Sequence, residues 1–98
     1  MRFEEIIIKW TEWSIEHIAR HSVKPHEVEE CIFENEPVVL KTLKKGRGRD
    51  RYVILCRCPH GRYLMIVLSK PDEYGYVKVI TARGMTKRER RYYHGIRR

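Results

Sequence analysis

Apolar and polar positions trade places most regularly in the last quarter of the chain. Val77, Val79 and Thr81 alternate with Lys78, Ile80 and Ala82, the period-two signature of a strand over 76–83. Gly84 permits a turn after it, and Thr86 stands three residues before Glu89, the spacing of a capping box that opens a helix. A first strand is expected over 3–10, where Ile6, Ile7 and Ile8 are consecutive and β-branched, as suits a strand covered on both faces. Thr11 is a good N-cap, and Ile15, Ile18 and Ala19 make one face of a helix over 12–21. A bend over 22–24 leads to a second helix. There Pro25 suits the first helical position, Glu27 falls at the third, and Val23 and Val28 have the spacing of a hydrophobic staple. Val28, Cys31 and Ile32 form its buried face, with Phe33 near its end. Residues 38–43 read as a strand, 44–50 as a basic glycine-bearing turn, 51–57 as a strand and 59–61 as a turn. Residues 62–69, RYLMIVLS, are the most apolar run and the expected central strand.

The segments group as β-α-α-β-β-β-α. This is an α+β domain over 1–98, an antiparallel meander with two helices on one face and a short C-terminal helix. The first strand is expected to join this sheet at an edge or beside the last strand, with the second placement favoured.

Composition sharpens this picture through charge. The 98 residues carry a net charge of +8, with 35% charged residues and a pI of about 9.7, a balance that favours a polyanionic partner. Residues 1–40 are acidic, with four Lys/Arg against nine Asp/Glu. The positive charge lies in two blocks: 41–51, with six Lys/Arg against one Asp, and 83–98, with seven against one Glu. Arginine and tyrosine on a helix fixed to a strand end can hold a phosphate backbone and stack bases. The competing reading is a terminal helix that packs its tyrosines and leaves its charges in water.

No apolar run approaches the ~20 residues of a membrane span, and acids stand where a secretory signal would carry bases. A cytoplasmic protein is expected. Three cysteines do not suggest a disulfide framework. Cys56-x-Cys58-x-His60 invites a zinc reading, but the spacing is not the common C-x2-C and no second cysteine pair exists. His17 and His21 are helix neighbours without a third ligand. No metal and no cofactor are expected, and no GxxxxGK[ST] loop is present.

The strand ending in Trp10 is followed in order by IEHIARHSV with His21, PHEVEECIF, RYVIL, GRYLMIVLS and VITARGMTKRERRYY. In that order and spacing the chain resembles the BrnT toxins of bacterial type II toxin–antitoxin systems, within the RelE/ParE-like group. Ser22, where the family often has glycine, and the CRCPH stretch depart from it. The resemblance implies a RelE-like fold and a ribonuclease toxin that cuts RNA and inhibits translation. It also implies neutralisation by a BrnA-like antitoxin with a ribbon-helix-helix part. Operator DNA would be reached only through that antitoxin, and oligomers would form only with it. The alternatives are a non-catalytic basic nucleic-acid-binding module, or an interaction protein whose charge serves solubility.

Metal-free RNA cleavage by the 2′-OH needs proton transfer at two oxygens and cations around the phosphorane. Arginine suits the second task because its planar fork binds phosphate and stays ionised. Arg62 and Arg83, brought to one edge by an antiparallel pair of strands, are the expected phosphate stabilisers, with Arg51 next. Lys44 and Arg49 would attract RNA from the basic turn, and Arg90 and Arg91 from the last helix. His21 is the first candidate for proton transfer and Glu89 the second, while Tyr93 could donate a proton or stack a base. Glu89 is equally accounted for by the capping box, and His21 by its place at a helix end. Trp10 is expected in the core. Trp13 could be exposed and anchor the antitoxin.

Overall fold

Short polar connections between apolar runs make consecutive strands neighbours. The computed structural model describes residues 5–34, 37–45 and 49–96, with side chains described outside 40–50. Its elements are β1 (Ile7–Ile8), α1 (Glu12–Ala19), α2 (Pro25–Glu34), β2 (Val38–Lys45), β3 (Arg49–Arg57), β4 (Tyr63–Ser69), β5 (Tyr76–Val77), β6 (Val79–Gly84) and α3 (Lys87–Ile96). The molecule is α+β. An antiparallel sheet runs β2-β3-β4-β6, and β1 and β5 form a separate parallel pair.

The expected order counts too few strands after the helices. Residues 76–84 make two, because the chain changes partner at Lys78. Before it, Ile7 and Lys9 donate to the Gly75 and Val77 carbonyls, each at 2.8 Å; at Lys78 the Ser69 side chain and backbone take over. The first strand therefore lies beside the opening of that stretch and, within the described part of 3–10, is only two residues long; Phe3 and Glu4 lie outside the described residues. The expected basic turn is also shorter, since Lys44 pairs with Asp50 and Lys45 with Arg49. The rest of that turn, 46–48, lies outside the described residues.

Side chains on a strand alternate between faces, and here both faces are covered. Ile54, Cys56, Leu64, Ile66 and Leu68 pack with Ile18, Val28, Cys31 and Ile32 from α1 and α2. Val53, Leu55, Met65 and Val67 point the other way and pack with Tyr93 of α3. This double burial explains why 63–69 reads as a continuous apolar run.

The helices begin where their caps predict. The Thr11 side chain accepts from Ser14 N–H at 3.1 Å, and Thr86 and Glu89 exchange reciprocal capping bonds of 2.9 and 3.1 Å. The buried face of α1 is not the expected one. Ser14 and Ile18 point inward, while Ile15 is 40% exposed and Ala19 is exposed. The capping box turns Ser14 toward the sheet, and eight residues give the helix little more than two turns. Trp10 packs beside the main core and donates its indole N–H to Glu29 Oε1 at 2.9 Å.

Gly75 sits at φ +86°, and a Cβ there would lie 2.8 Å from the Glu5 carbonyl oxygen. Gly75→Ala therefore combines backbone strain with a backbone clash, and should lower unfolding stability by about 1–3 kcal/mol in urea denaturation. An unchanged midpoint would show that β1 does not pack on this turn.

Candidate functional site

The register of the sheet decides which arginines can meet. Leu64 pairs with Gly84 and Met65 with Arg83, so Arg62 and Arg83 do lie at the same edge, as expected. They do not converge. Arg83 stands beside Met65 and faces α3, whereas Arg62 turns to the α1–α2 face. The expected pair around one phosphate is therefore split by the thickness of the sheet.

On the α1–α2 face Arg62 is consumed by structure. Its Nη1 donates to the Ser22 carbonyl at 2.6 Å and to both Glu27 oxygens at 3.1 and 3.2 Å, and its Nη2 donates to the His21 carbonyl at 3.2 Å. Ser22, in the left-handed region at φ 59°, shapes the bend that presents those carbonyls. Glu27 is only 7% exposed. Burial pushes its carboxyl up, but the Lys24 N–H, the Arg62 guanidinium and nearby His60 more than offset this and hold it below its usual range. Glu27 also closes the start of α2 by accepting from Lys24 N–H at 2.9 Å. A buried carboxylate is tolerable only with such partners. His21 contributes its backbone here, while its exposed ring lies edge-on to His17 at 6.2 Å.

On the opposite face a second cluster gathers at the same edge. Arg83 grips Glu89 with two bonds, Nη1 to Oε1 at 2.9 Å and Nη2 to Oε2 at 3.1 Å. Burial raises the Glu89 carboxyl, and the Arg83 guanidinium and the Thr86 N–H lower it further than burial raises it. A carboxylate so engaged is a poor proton carrier, so Glu89 orients Arg83 rather than serving as the expected acid or base. Tyr93 is only 5% exposed and belongs to the second core, where its ring packs with Val53, Leu55, Met65 and Val67 instead of presenting a face for a base to stack on.

Tyr63 is the centre of this cluster. The Arg90 guanidinium carbon lies 4.3 Å above its ring centroid and that of Arg57 5.4 Å away, both cation–π distances. His94 meets the same ring edge-on at 5.3 Å and Tyr93 at 6.0 Å. Arg90 and His94 are i, i+4 neighbours on α3, and Arg57 pairs with Tyr63 across the hairpin. Among the described residues no carboxylate pairs with Arg90. Positive charge is therefore offered here beside an exposed imidazole.

Arg57, Tyr63 and His94 were missed by sequence reasoning. Hairpin register and the period of two would have put Arg57 on the same face as Val53 and Leu55, next to Tyr63. Arg51 shares that face but pairs with Ser69, at the far end of β4 and about 20 Å from Tyr63 at 3.3 Å per residue. Arg91 is exposed on α3. Lys44 and Arg49 lie on paired backbone, and their side chains are outside the described residues. Trp13 is 59% exposed and stacks on His17 at 4.8 Å. No helix among the described residues is long and apolar enough to cross a membrane.

No family model matches the chain, and no curated protein or solved structure is significantly similar to it.

Glu27 titrates below its ordinary range, so its stabilising contribution is complete above about pH 4.3 and is lost as pH falls through its lower folded value. Glu27→Gln should cost roughly 2 kcal/mol at neutral pH, and its stability should fall less steeply on acidification than that of the parent chain. Denaturation series at several pH values measure both; equal stability at neutral pH would contradict the role given to Arg62.

Proposed function

We propose that this chain is a BrnT-like ribonuclease toxin with a RelE-like fold, and that it engages RNA on the face of the sheet covered by α3. The observation that carries the reading is the pair of guanidinium groups of Arg57 and Arg90 on the Tyr63 ring, with the His94 imidazole at its edge. The ring orients the arginines, whose forks suit phosphate oxygens. Arg83, held by Glu89, stands about 7 Å further along the same face, one strand repeat of two residues away. The seven basic residues of 83–98 supply long-range attraction.

In this mechanism the ribose 2′-OH attacks the adjacent phosphate. The 2′-O–P bond forms and the P–O5′ bond breaks; His94 takes the 2′-OH proton and delivers it to the departing 5′-oxygen, and Arg90 and Arg57 stabilise the phosphorane charge. The products would be a 2′,3′-cyclic phosphate and a free 5′-hydroxyl. The toxin would act in the cytoplasm and pair with a ribbon-helix-helix antitoxin, through which alone operator DNA is contacted. Exposed Trp13, on the acidic part of the chain, is the anchor for that partner. Ser22 supports the resemblance, because its left-handed backbone is a conformation that glycine adopts freely.

His94→Ala should lower RNA cleavage by about 10²-fold or more, and Arg90→Ala should weaken RNA binding and flatten its log–log salt dependence by about 0.7 for each phosphate it no longer neutralises. Arg62→Ala should reduce stability and leave the cleavage rate of the folded fraction unchanged. Cleavage that survives His94→Ala and Arg90→Ala but disappears with Arg62→Ala would overturn this assignment. Salt-sensitive binding with no cleavage by the parent chain would favour the non-catalytic module.

A further inference from the structure

The Glu27–Arg62 pair accounts for two charges on the α1–α2 face but not for the other groups gathered there. One ligand atom each from Glu27, Cys58 and His60 lies within 4.8 Å of the others. Glu27 Oε2 and His60 Nε2 are 3.3 Å apart, and Cys31 Sγ is 3.0 Å from Cys58 Sγ. The turn that carries two of them is tightly made: Cys58 N–H donates to the Arg62 carbonyl at 2.7 Å, and Gly61 N–H donates to the Cys58 carbonyl at 2.8 Å. Cys31 and Cys58 are fully buried, whereas His60 is 51% exposed and opens the cluster to solvent.

We infer that Cys58, His60 and Glu27 form a zinc site that fastens the β3–β4 turn to α2. One sulfur, one imidazole nitrogen and one carboxylate oxygen are three zinc donors, and a tetrahedral ion would take a water at the fourth, open position. At zinc bond lengths, neighbouring donors in a tetrahedron lie about 3.4–3.8 Å apart. The Glu27–His60 separation is already near that range, and Cys31, whose Sγ is 3.0 Å from that of Cys58, would donate its S–H to the thiolate. Glu27 would offer Oε2, giving up the 3.2 Å bond that Arg62 Nη1 makes to it, while Oε1 keeps Lys24 N–H and Arg62.

Charge is met within the ligand set, since zinc with one thiolate, one carboxylate and a neutral imidazole carries no net charge. Binding releases one thiol proton to solvent and changes no oxidation state. Burial raises the Cys58 thiol, so the metal must displace its proton and its affinity should fall as pH falls. The C-x-C-x-H spacing alone does not point to the site, because the remaining ligand, Glu27, comes from α2 and not from a second nearby cysteine pair. This site lies across the sheet from Tyr63 and does not depend on the proposed activity.

The test is zinc titration of the reduced, chelator-stripped full chain carrying no affinity tag, with cobalt(II) as a spectroscopic substitute. One zinc per chain, a cobalt–thiolate charge-transfer band and a Tm rise of about 5 °C or more are expected. His60→Ala, an exposed change that preserves the fold, should weaken binding about tenfold or more; Cys58→Ser should abolish the thiolate band. His17→Ala with His21→Ala should leave binding intact. Absence of stoichiometric zinc, a cobalt spectrum without thiolate bands, or binding lost with His17 and His21 but not with His60 would each overturn the site.

Discussion

Alternation along β4 constrains everything else in this molecule. Each step along a strand reverses the side chain, and both faces of β4 are buried, so no residue near it can change sides without exposing a row of core residues. Leu64, Ile66 and Leu68 are committed to α1 and α2, and Met65 and Val67 to α3. Arg83 follows Met65 to the α3 face, while Arg62, in the turn before β4, is drawn to Glu27. The sheet thus sorts two arginines at one edge into two environments with different chemistry.

Those environments differ in how completely charge is answered. On the α1–α2 face the Arg62 guanidinium is surrounded by a buried carboxylate and two backbone carbonyls, and it ties the bend at 21–22 to the start of α2. Such an arrangement fixes geometry and leaves the guanidinium little to offer a phosphate. On the α3 face Glu89 answers Arg83, but Arg90 rests on an aromatic ring, which orients a guanidinium without neutralising it. A polyanion gains more from the second kind of site than from the first.

Much of the fold was legible in the sequence because it rests on local signals. Thr11, Pro25 and Thr86 mark helix starts through their own hydrogen-bonding or φ preferences, and the apolar run 63–69 marks a strand covered on both faces. The split at Lys78 was not legible, since it depends on β1 arriving from the other end of the chain. Nor was the inward turn of Ser14, which an apolar count assigns to Ile15. At the site, the edge shared by Arg62 and Arg83 followed from hairpin register, but their faces did not. Arg62 lies just outside the strand, where the period of two stops applying, and its partner Glu27 is distant in sequence. Arg57, Tyr63 and His94 carried a signal in strand parity and in the i, i+4 spacing of α3, which becomes readable once the hairpin register is known.

On the proposed reading, nucleic acid meets the α3 face and not the helical pair. Titration of a short single-stranded RNA into isotopically labelled protein, followed by amide and side-chain chemical shifts, tests this directly. Perturbations are expected at Arg57, Tyr63, Arg83, Arg90 and His94, with Glu27, Cys31 and Arg62 unmoved. Shifts concentrated on α1, α2 and the 58–62 turn, with α3 silent, would contradict it.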